Sequence, residues 1–289
     1  KYQGTGNDFV LVDGTEPLPI VDWPAAAAFL CDRHYGVGAD GVILVEKGRS
    51  APWAMRVINA DGSEPEMCGN GIRCVARWLH DSGRVGPGSF DVETGAGVIR
   101  PAVLPDGQVR VDMGKPRLTR AEIPIAGPPD EQVVDEPLGA GFGTVLVTAV
   151  SMGNPHAVMF VPDVDRIPLA DWGPRIERHE MFPDRTNVEF VQVLGPNHAN
   201  MRVWERGSGA TLACGTGACA TLVAGVLTGR MAREATIHLP GGPLQIHWDE
   251  DDHVWLTGPA EPVYTGEVQL PHERRQAAAP KIPHSPPTA

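Results

Sequence analysis

Lysine is scarce in this chain: Lys1, Lys47, Lys115 and Lys281 are the only four in 289 residues. A pyridoxal-phosphate enzyme needs a Schiff-base lysine in its site, and none of the four stands in a glycine-rich loop, which argues against that chemistry. Positive charge is short overall. Lys and Arg number 24 against 36 Asp and Glu, giving a formal net charge of −12 and a pI near 5.2. Nucleic acid and anionic membranes reward clustered positive charge, so neither is expected as a partner. No apolar run reaches spanning length and no basic-then-apolar leader opens the chain. A soluble cytoplasmic protein is therefore expected.

Cysteine is sparse too. Cys31, Cys68, Cys74, Cys214 and Cys219 are an odd number at low density, which does not read as a disulfide framework. No C-x-x-C pair and no H-E-x-x-H occurs, so no metal site is expected. No G-x-x-x-x-G-K-[ST] occurs either. Gly36-Val37-Gly38-Ala39-Asp40-Gly41 spells G-x-G-x-x-G but runs into an apolar strand, where a dinucleotide site would open a helix.

What the chain does contain is itself, twice. Cys68-Gly69-Asn70-Gly71 returns as Cys214-Gly215-Thr216-Gly217 at an offset of 146 residues, and Met55-Arg56-Val57 returns as Met201-Arg202-Val203 at the same offset. Gly41-Val42-Ile43-Leu44-Val45 aligns with Asn187-Val188-Glu189-Phe190-Val191, and Gly6-Asn7-Asp8-Phe9 with Gly153-Asn154-Pro155-His156. Asn59 and Glu205 each lie nine residues before their cysteine. Each half then reads as one copy of a duplicated domain.

Frequent Gly and Pro at close spacing favour β-rich halves. Strands are expected at 9–13, 42–46, 53–59, 90–94, 98–103 and 108–113, and in the second half at 144–151, 157–161, 188–193, 201–205, 235–239, 244–248 and 253–257. Asp22 and Pro24 can start a helix over 25–32, and another is expected over 169–179. The clearest helices follow the cysteine loops. Ile72, Val75, Ala76 and Leu79 recur at helical spacing, with Gly83 as a stop. Residues 218–227 are nearly all apolar, as a helix wrapped by strands requires. Residues 101–140 contain the crossing between halves. The Pro- and Ala-rich stretch 271–289 reads as a disordered tail.

A thiol at a helix mouth sits beside unpaired N–H groups and the positive end of the dipole, which favours thiolate. The same groups bind carboxylates, and glycines let backbone approach a ligand. Two such mouths facing one carboxylate would place a sulfur on either side of its α-carbon. One sulfur then serves as general base and the other as general acid, without metal or redox cofactor. Single buried cysteines are more often packing, and Cys31, Cys74 and Cys219 read that way. A redox disulfide between Cys68 and Cys214 stays open.

Taken together, Gly4-Thr5-Gly6-Asn7-Asp8-Phe9, Asn59-Ala60-Asp61-Gly62-Ser63-Glu64, Met67 to Cys74, Ser151 to His156, Glu205 to Gly209, Ala213 to Cys219 and Leu239-Pro240-Gly241-Gly242 resemble diaminopimelate epimerase, over about residues 4–270. The resemblance implies an α+β fold of two pseudo-symmetric domains, each with strands around a central helix: 1–115, joined by a returning strand at about 262–270, and 116–261. It implies cofactor-free interconversion of LL- and meso-diaminopimelate, towards lysine and peptidoglycan, and a homodimer. It assigns catalysis to Cys68 and Cys214 with His156 and Glu205 assisting. Substrate contacts fall on Asn7, Asn59, Gly69, Asn70, Asn154, Asn187, Glu205, Arg206, Gly215 and Thr216. Asn59, Asn154, Asn187 and Arg206 would take the distal carboxylate and Glu205 the distal ammonium, a set that leaves one-ended substrates with unpaired partners.

Gly41 stands where some members of that family carry Gln, and Thr216 where Ser is also found. Three other readings compete. A proline or hydroxyproline racemase-type enzyme would share the fold and both thiols but would not need the second set of polar residues. A thiol redox protein would cycle a disulfide between residues 68 and 214. A non-enzymatic amino-acid binder on the same fold is a third.

Overall fold

A computed structural model describes residues 1–18 and 22–270. In chain order the strands of the first part are β1 (Tyr2–Gly4), β2 (Asn7–Asp13), β3 (Gly41–Lys47), β4 (Trp53–Asn59), β5 (Gly88–Ser89), β6 (Val92–Thr94), β7 (Gly97–Ile99), β8 (Ala102–Val103) and β9 (Val109–Asp112). The later ones are β10 (Glu136–Gly139), β11 (Thr144–Ser151), β12 (Pro155–Phe160), β13 (Asn187–Gly195), β14 (His198–Glu205), β15 (Gly209–Thr211), β16 (Glu234–Leu239), β17 (Gly242–Trp248), β18 (Val254–Gly258) and β19 (Glu261–Pro262). The helices are α1 (Trp23–Cys31), α2 (Gly69–Asp81), α3 (Leu169–Glu177) and α4 (Gly215–Leu227), with a 3-10 turn at Val164–Arg166.

The duplication appears as a repeated pairing order. In the first sheet β1–β2 is antiparallel, β2–β3 parallel, β3–β4 antiparallel, β4–β6 parallel and β6–β7 antiparallel. In the second, β11 to β14 and then β16 and β17 repeat that alternation step for step. Register repeats as well: Phe9 faces Gly41 across the first parallel pair and His156 faces Asn187 across the second. The protein is a mixed α+β fold of duplicated halves, mostly strand.

Each half buries a sheet on both faces, which explains the unbroken apolar runs. In β3, Ile43 and Val45 pack with Ile72, Val75, Ala76 and Leu79 of α2, while Val42 and Leu44 pack with Ala27 and Leu30 of α1. In the second half, Val191 and Val203 pack against α4 residues including Leu222 and Val223, whereas Val188 and Phe190 face Leu169 and Ile176 of α3. Apolar on almost every side, α4 is buried from Gly217 to Gly225. Asp22 caps α1 as its sequence suggests, its carboxylate accepting from the Ala25 N–H at 3.0 Å.

Some expectations shift. The spans 90–94 and 98–103 each hold a shorter strand pairing than expected: β6 begins at Val92, β7 ends at Ile99, and β8 resumes at Ala102. Phe90 and Pro101 lie outside the strands yet are joined by a backbone bond of 3.1 Å. Strands β1, β10 and β15 go beyond the expected set. They are short and lack the long apolar alternation that marks a strand in sequence. Strands β9, β8 and β5 extend the second sheet beyond β18, yet Val103, Val109 and Val111 pack in the core of α2. The returning segment pairs with β1 through Glu261 and Pro262, and Val263 N–H donates to Lys1 carbonyl at 2.8 Å. The stretch 271–289 lies outside the described residues.

Leu222 is fully buried in the larger core. Leu222→Ala is expected to cost about 2–5 kcal/mol through lost burial and a residual cavity, read as a lower urea midpoint with an unchanged slope.

Candidate active site

Both cysteines of interest end an extended segment and cap the helix that follows. Cys68, with φ −138°, accepts the Gly71 N–H on its sulfur at 3.3 Å, and Cys214, with φ −126°, accepts the Gly217 N–H at 3.4 Å. The last residue of each four-residue loop is a glycine with a side-chain tip close against it. A Cβ at Gly71 would lie 2.9 Å from Ile43 Cδ1, and one at Gly217 would lie 2.8 Å from Glu189 Oε1. Both distances are below ordinary contact, so a methyl there would push on a side chain of the strand beneath, Ile43 under one loop and Glu189 under the other.

The two loops meet through polar groups. Asn70, at the mouth of α2, donates to the Ala213 carbonyl just before Cys214 at 3.3 Å and to Asn7 Oδ1 at 3.1 Å. A Cβ at Gly215 would stand 3.6 Å from Asn70 Oδ1 and 3.9 Å from Arg73 Nη1. Glu205, at the end of β14, raises the pKa of both thiols. All five cysteines are free thiols; Cys68 is half-buried and the other four are buried.

The thiols themselves depart from expectation. Burial pushes Cys68 up despite the N–H groups of Gly71 and Asn70, with Glu205 adding to the rise and Arg73 opposing it. Burial pushes Cys214 well above its ordinary value, reinforced by Glu205 and Glu189 and only partly offset by Thr216 and the Gly217 N–H. The helix-mouth groups act in the expected sense, but desolvation and two carboxylates outweigh them. Without a ligand, both groups are held as thiols near neutral pH. Glu205 is also raised, chiefly by burial, while its bond from the Thr211 hydroxyl, His156 and the adjacent Cys214 oppose the rise. A carboxyl so raised is a ready proton acceptor beside a thiol.

His156 is fully buried, its Nδ1 2.7 Å from Glu189 Oε1 and its Nε2 3.1 Å from Asn154 Oδ1. The other Glu189 oxygen has no hydrogen-bond partner among the described residues. Asn187 spends its amide on backbone, donating to Pro155 carbonyl and accepting from the Arg206 N–H, both at 2.9 Å. It therefore anchors the strand end carrying Arg206, whose exposed guanidinium reaches the Asp184 carbonyl at 3.1 Å. Asn7 donates to Asp40 at 2.7 Å. Asn59 ends β4 and its side chain turns back to its own loop, donating to the Ser63 hydroxyl at 2.9 Å. Thr216 Oγ1 lies 3.5 Å from Cys214 Sγ. Among the described residues no His, Cys, Asp and Glu cluster suits a metal ion.

Three groups at this joint carry no role in the sequence reading: Glu189, Arg73 and Thr211. Glu189 had a visible signal, an acidic residue inside the buried run Val188 to Val191 that aligns with Ile43 of the first copy. Arg73 and Thr211 gave none, because the loop motif containing Arg73 looks helical and amphipathic, and Thr211 lies in a short strand.

The fold and the two cysteine-capped loops define a duplicated α+β protein whose two helix mouths meet through Asn70 and Ala213. Solved structures agree on the fold alone. A PhzF-family phenazine biosynthesis protein of Bacillus anthracis matches with TM-score 0.65 at 16% identity, covering 93% of this chain and 98% of that one. A hydroxyproline epimerase of Agrobacterium vitis matches with TM-score 0.64 at 16% identity, covering 91% and 89%. Sequence comparison goes further. The family model described as diaminopimelate epimerase matches residues 1–119 and 148–269. A diaminopimelate epimerase of Pelotomaculum thermopropionicum is 55% identical over 272 residues, 92% of this chain and 97% of its own length. A chloroplastic one of Oryza sativa subsp. japonica is 54% identical, covering 93% of this chain and 79% of that protein. The chain belongs to the diaminopimelate epimerase family.

Gly217→Ala should cost about 1–3 kcal/mol in chemical denaturation by forcing the new methyl against Glu189. Gly195→Ala, with no atom within 4 Å of the added methyl, should stay within about 0.5 kcal/mol of the parent.

Proposed function

We propose that this protein interconverts LL- and meso-2,6-diaminopimelate by a two-thiol mechanism without a cofactor, as a step towards lysine and peptidoglycan. The observation that carries the reading is the matched pair of cysteine-capped helix mouths joined through Asn70 and Ala213, in a chain of this family. Free N–H groups at the two mouths would bind the carboxylate of the reacting end and stabilise the negative charge that develops on it.

One sulfur, as thiolate, takes the α-proton from one face of the carbon. The opposite thiol returns its own proton to the other face, so the site ends with the two sulfurs in exchanged protonation states. Both thiols are held high before ligand binds, so a base must generate the thiolate. Glu205 suits that task through its proximity to Cys214 and its raised pKa. His156, locked between Glu189 and Asn154, would assist on the same side. Asn59, Asn154, Asn187 and Arg206 would hold the distal carboxylate, Asn187 by fixing the Arg206 backbone, and Glu205 the distal ammonium. Asn7, Gly69, Asn70, Gly215 and Thr216 complete the contacts. We also propose a homodimer acting in the cytoplasm on this small substrate, with catalysis divided between halves 1–115 and 116–261. No helix among the described residues is long and apolar enough to cross a membrane.

Incubation of LL-diaminopimelate with purified protein in deuterated water tests the reading. Epimerisation should proceed with deuterium entering the α-position, and Cys68→Ser should lower turnover by about 10²–10⁴-fold or more, as expected for loss of a general acid–base group. Label entering proline in place of diaminopimelate, or a Cys68→Ser protein exchanging at the parent rate, would refute it.

A further inference from the structure

Arg73 is fully buried in α2, yet every hydrogen-bond partner of its guanidinium is neutral. Nε donates to the Pro259 carbonyl at 3.3 Å and Nη1 to the Gly69 carbonyl at 3.0 Å. Nη2 donates to Thr5 Oγ1 at 2.8 Å and to Asn70 Oδ1 at 3.0 Å. Among the described residues no carboxylate forms an ion pair with it. A buried cation without a counter-ion is costly, and burial alone lowers the Arg73 pKa. Such a group is economical only where an anion joins it.

The position of the guanidinium narrows which anion that is. Its neighbours include three thiols. Cys74 and Cys219 lie inside packed helices, Cys74 pushed up to about 12 and Cys219 higher still, both chiefly by burial, so both stay protonated. Cys68 stands at the open end of the same helix and is half-buried. Arg73 also reaches the second mouth, 3.9 Å from where a Cβ of Gly215 would lie. The cation therefore sits behind both loops, at the point where negative charge accumulates if the paired thiols carry the chemistry.

Building on that reading of the site, we propose that Arg73 is a positioning residue whose fixed positive charge acts as the counter-ion for the Cys68 thiolate and for a carboxylate held between the two helix mouths. It touches neither directly; it acts through the field it sets at the mouths and through Asn70, which it orients. A bland alternative exists. Arg73 also holds Thr5, whose φ of 56° lies in the left-handed region, and so ties the β1–β2 turn to the end of β18. A purely structural role predicts a loss of stability and nothing else.

Charge and scaffold are separated by two substitutions and one reading that needs no substrate. The groups facing the Cys68 thiol are Arg73 from its own helix and Glu205 from the end of β14, and Glu205 is unchanged in both variants. The rate of iodoacetamide alkylation at Cys68 is followed against pH by peptide mass, and the midpoint is compared. Removing a nearby cation destabilises the thiolate, so Arg73→Gln should raise that midpoint by about one pH unit or more. Arg73→Lys keeps the charge and loses the fork, so its midpoint should remain near the parent value although stability falls. A folded Arg73→Gln protein with the parent midpoint overturns the proposal. So does an Arg73→Lys midpoint that rises by about a unit, and this arm decides alone if the Gln variant does not fold. Because alkylation is read on the free protein, a failure to turn over diaminopimelate would count against the proposed function and leave this test standing.

Discussion

Everything at the site depends on two helices meeting end to end with their N-terminal mouths. Helices normally hide their first N–H groups with a side chain, water or a ligand. In this protein α2 and α4 each use a cysteine sulfur to accept from those groups, the Gly71 N–H at one mouth and the Gly217 N–H at the other. Dipoles pointing at a common spot repel, so the joint needs polar mortar. Asn70 supplies it, linking its own helix mouth to the carbonyl before Cys214 and to Asn7. The sheets serve this contact by wrapping each helix and packing a side chain against its start, Ile43 beneath one loop and Glu189 beneath the other.

The repeat is also where the halves differ. Backbone order and register are copied, but the side chains beneath the loops are not. The first copy has Phe9 and Ile43 in its apolar core. At the matching positions the second has His156 and Glu189, both fully buried and bonded to each other. Two matched scaffolds therefore surround their sulfurs with different electrostatics: Glu205 and Glu189 both act on Cys214, while at Cys68 the influence of Glu205 is opposed by Arg73. Backbone symmetry places the pair, and the departure from symmetry in its lining gives the two faces distinct properties.

Much of this was legible in the sequence because it rests on local rules. Motif repetition exposed the duplication, apolar runs exposed β3, β11 and β13, and glycine-flanked cysteines marked both helix starts. The Asp22 cap followed from a single residue type in the right place. What was illegible depends on contacts distant in the chain. A two-residue edge piece such as β5 is a strand only because β8 pairs with it. The thiol pKa values rose because burial and Glu205, joined at Cys214 by Glu189, outweighed the helix ends. Arg73 has nothing in its local sequence to set it apart; its burial comes from the Thr5 turn and Pro259 closing over it.

The closing strand has a consequence for how such a chain comes into being. Pro262 lies opposite Tyr2, and the backbone nitrogen of Lys1 donates to the Tyr264 carbonyl at 2.6 Å. A ribosome makes Tyr2 long before Pro262. The amino-terminal copy must wait, one edge unpaired, while its twin is made, and β18 must emerge before β9 gains its neighbour. Contacts of such long sequence separation slow folding and prolong exposure of open sheet edges. The nascent protein thus finishes its first-made half last.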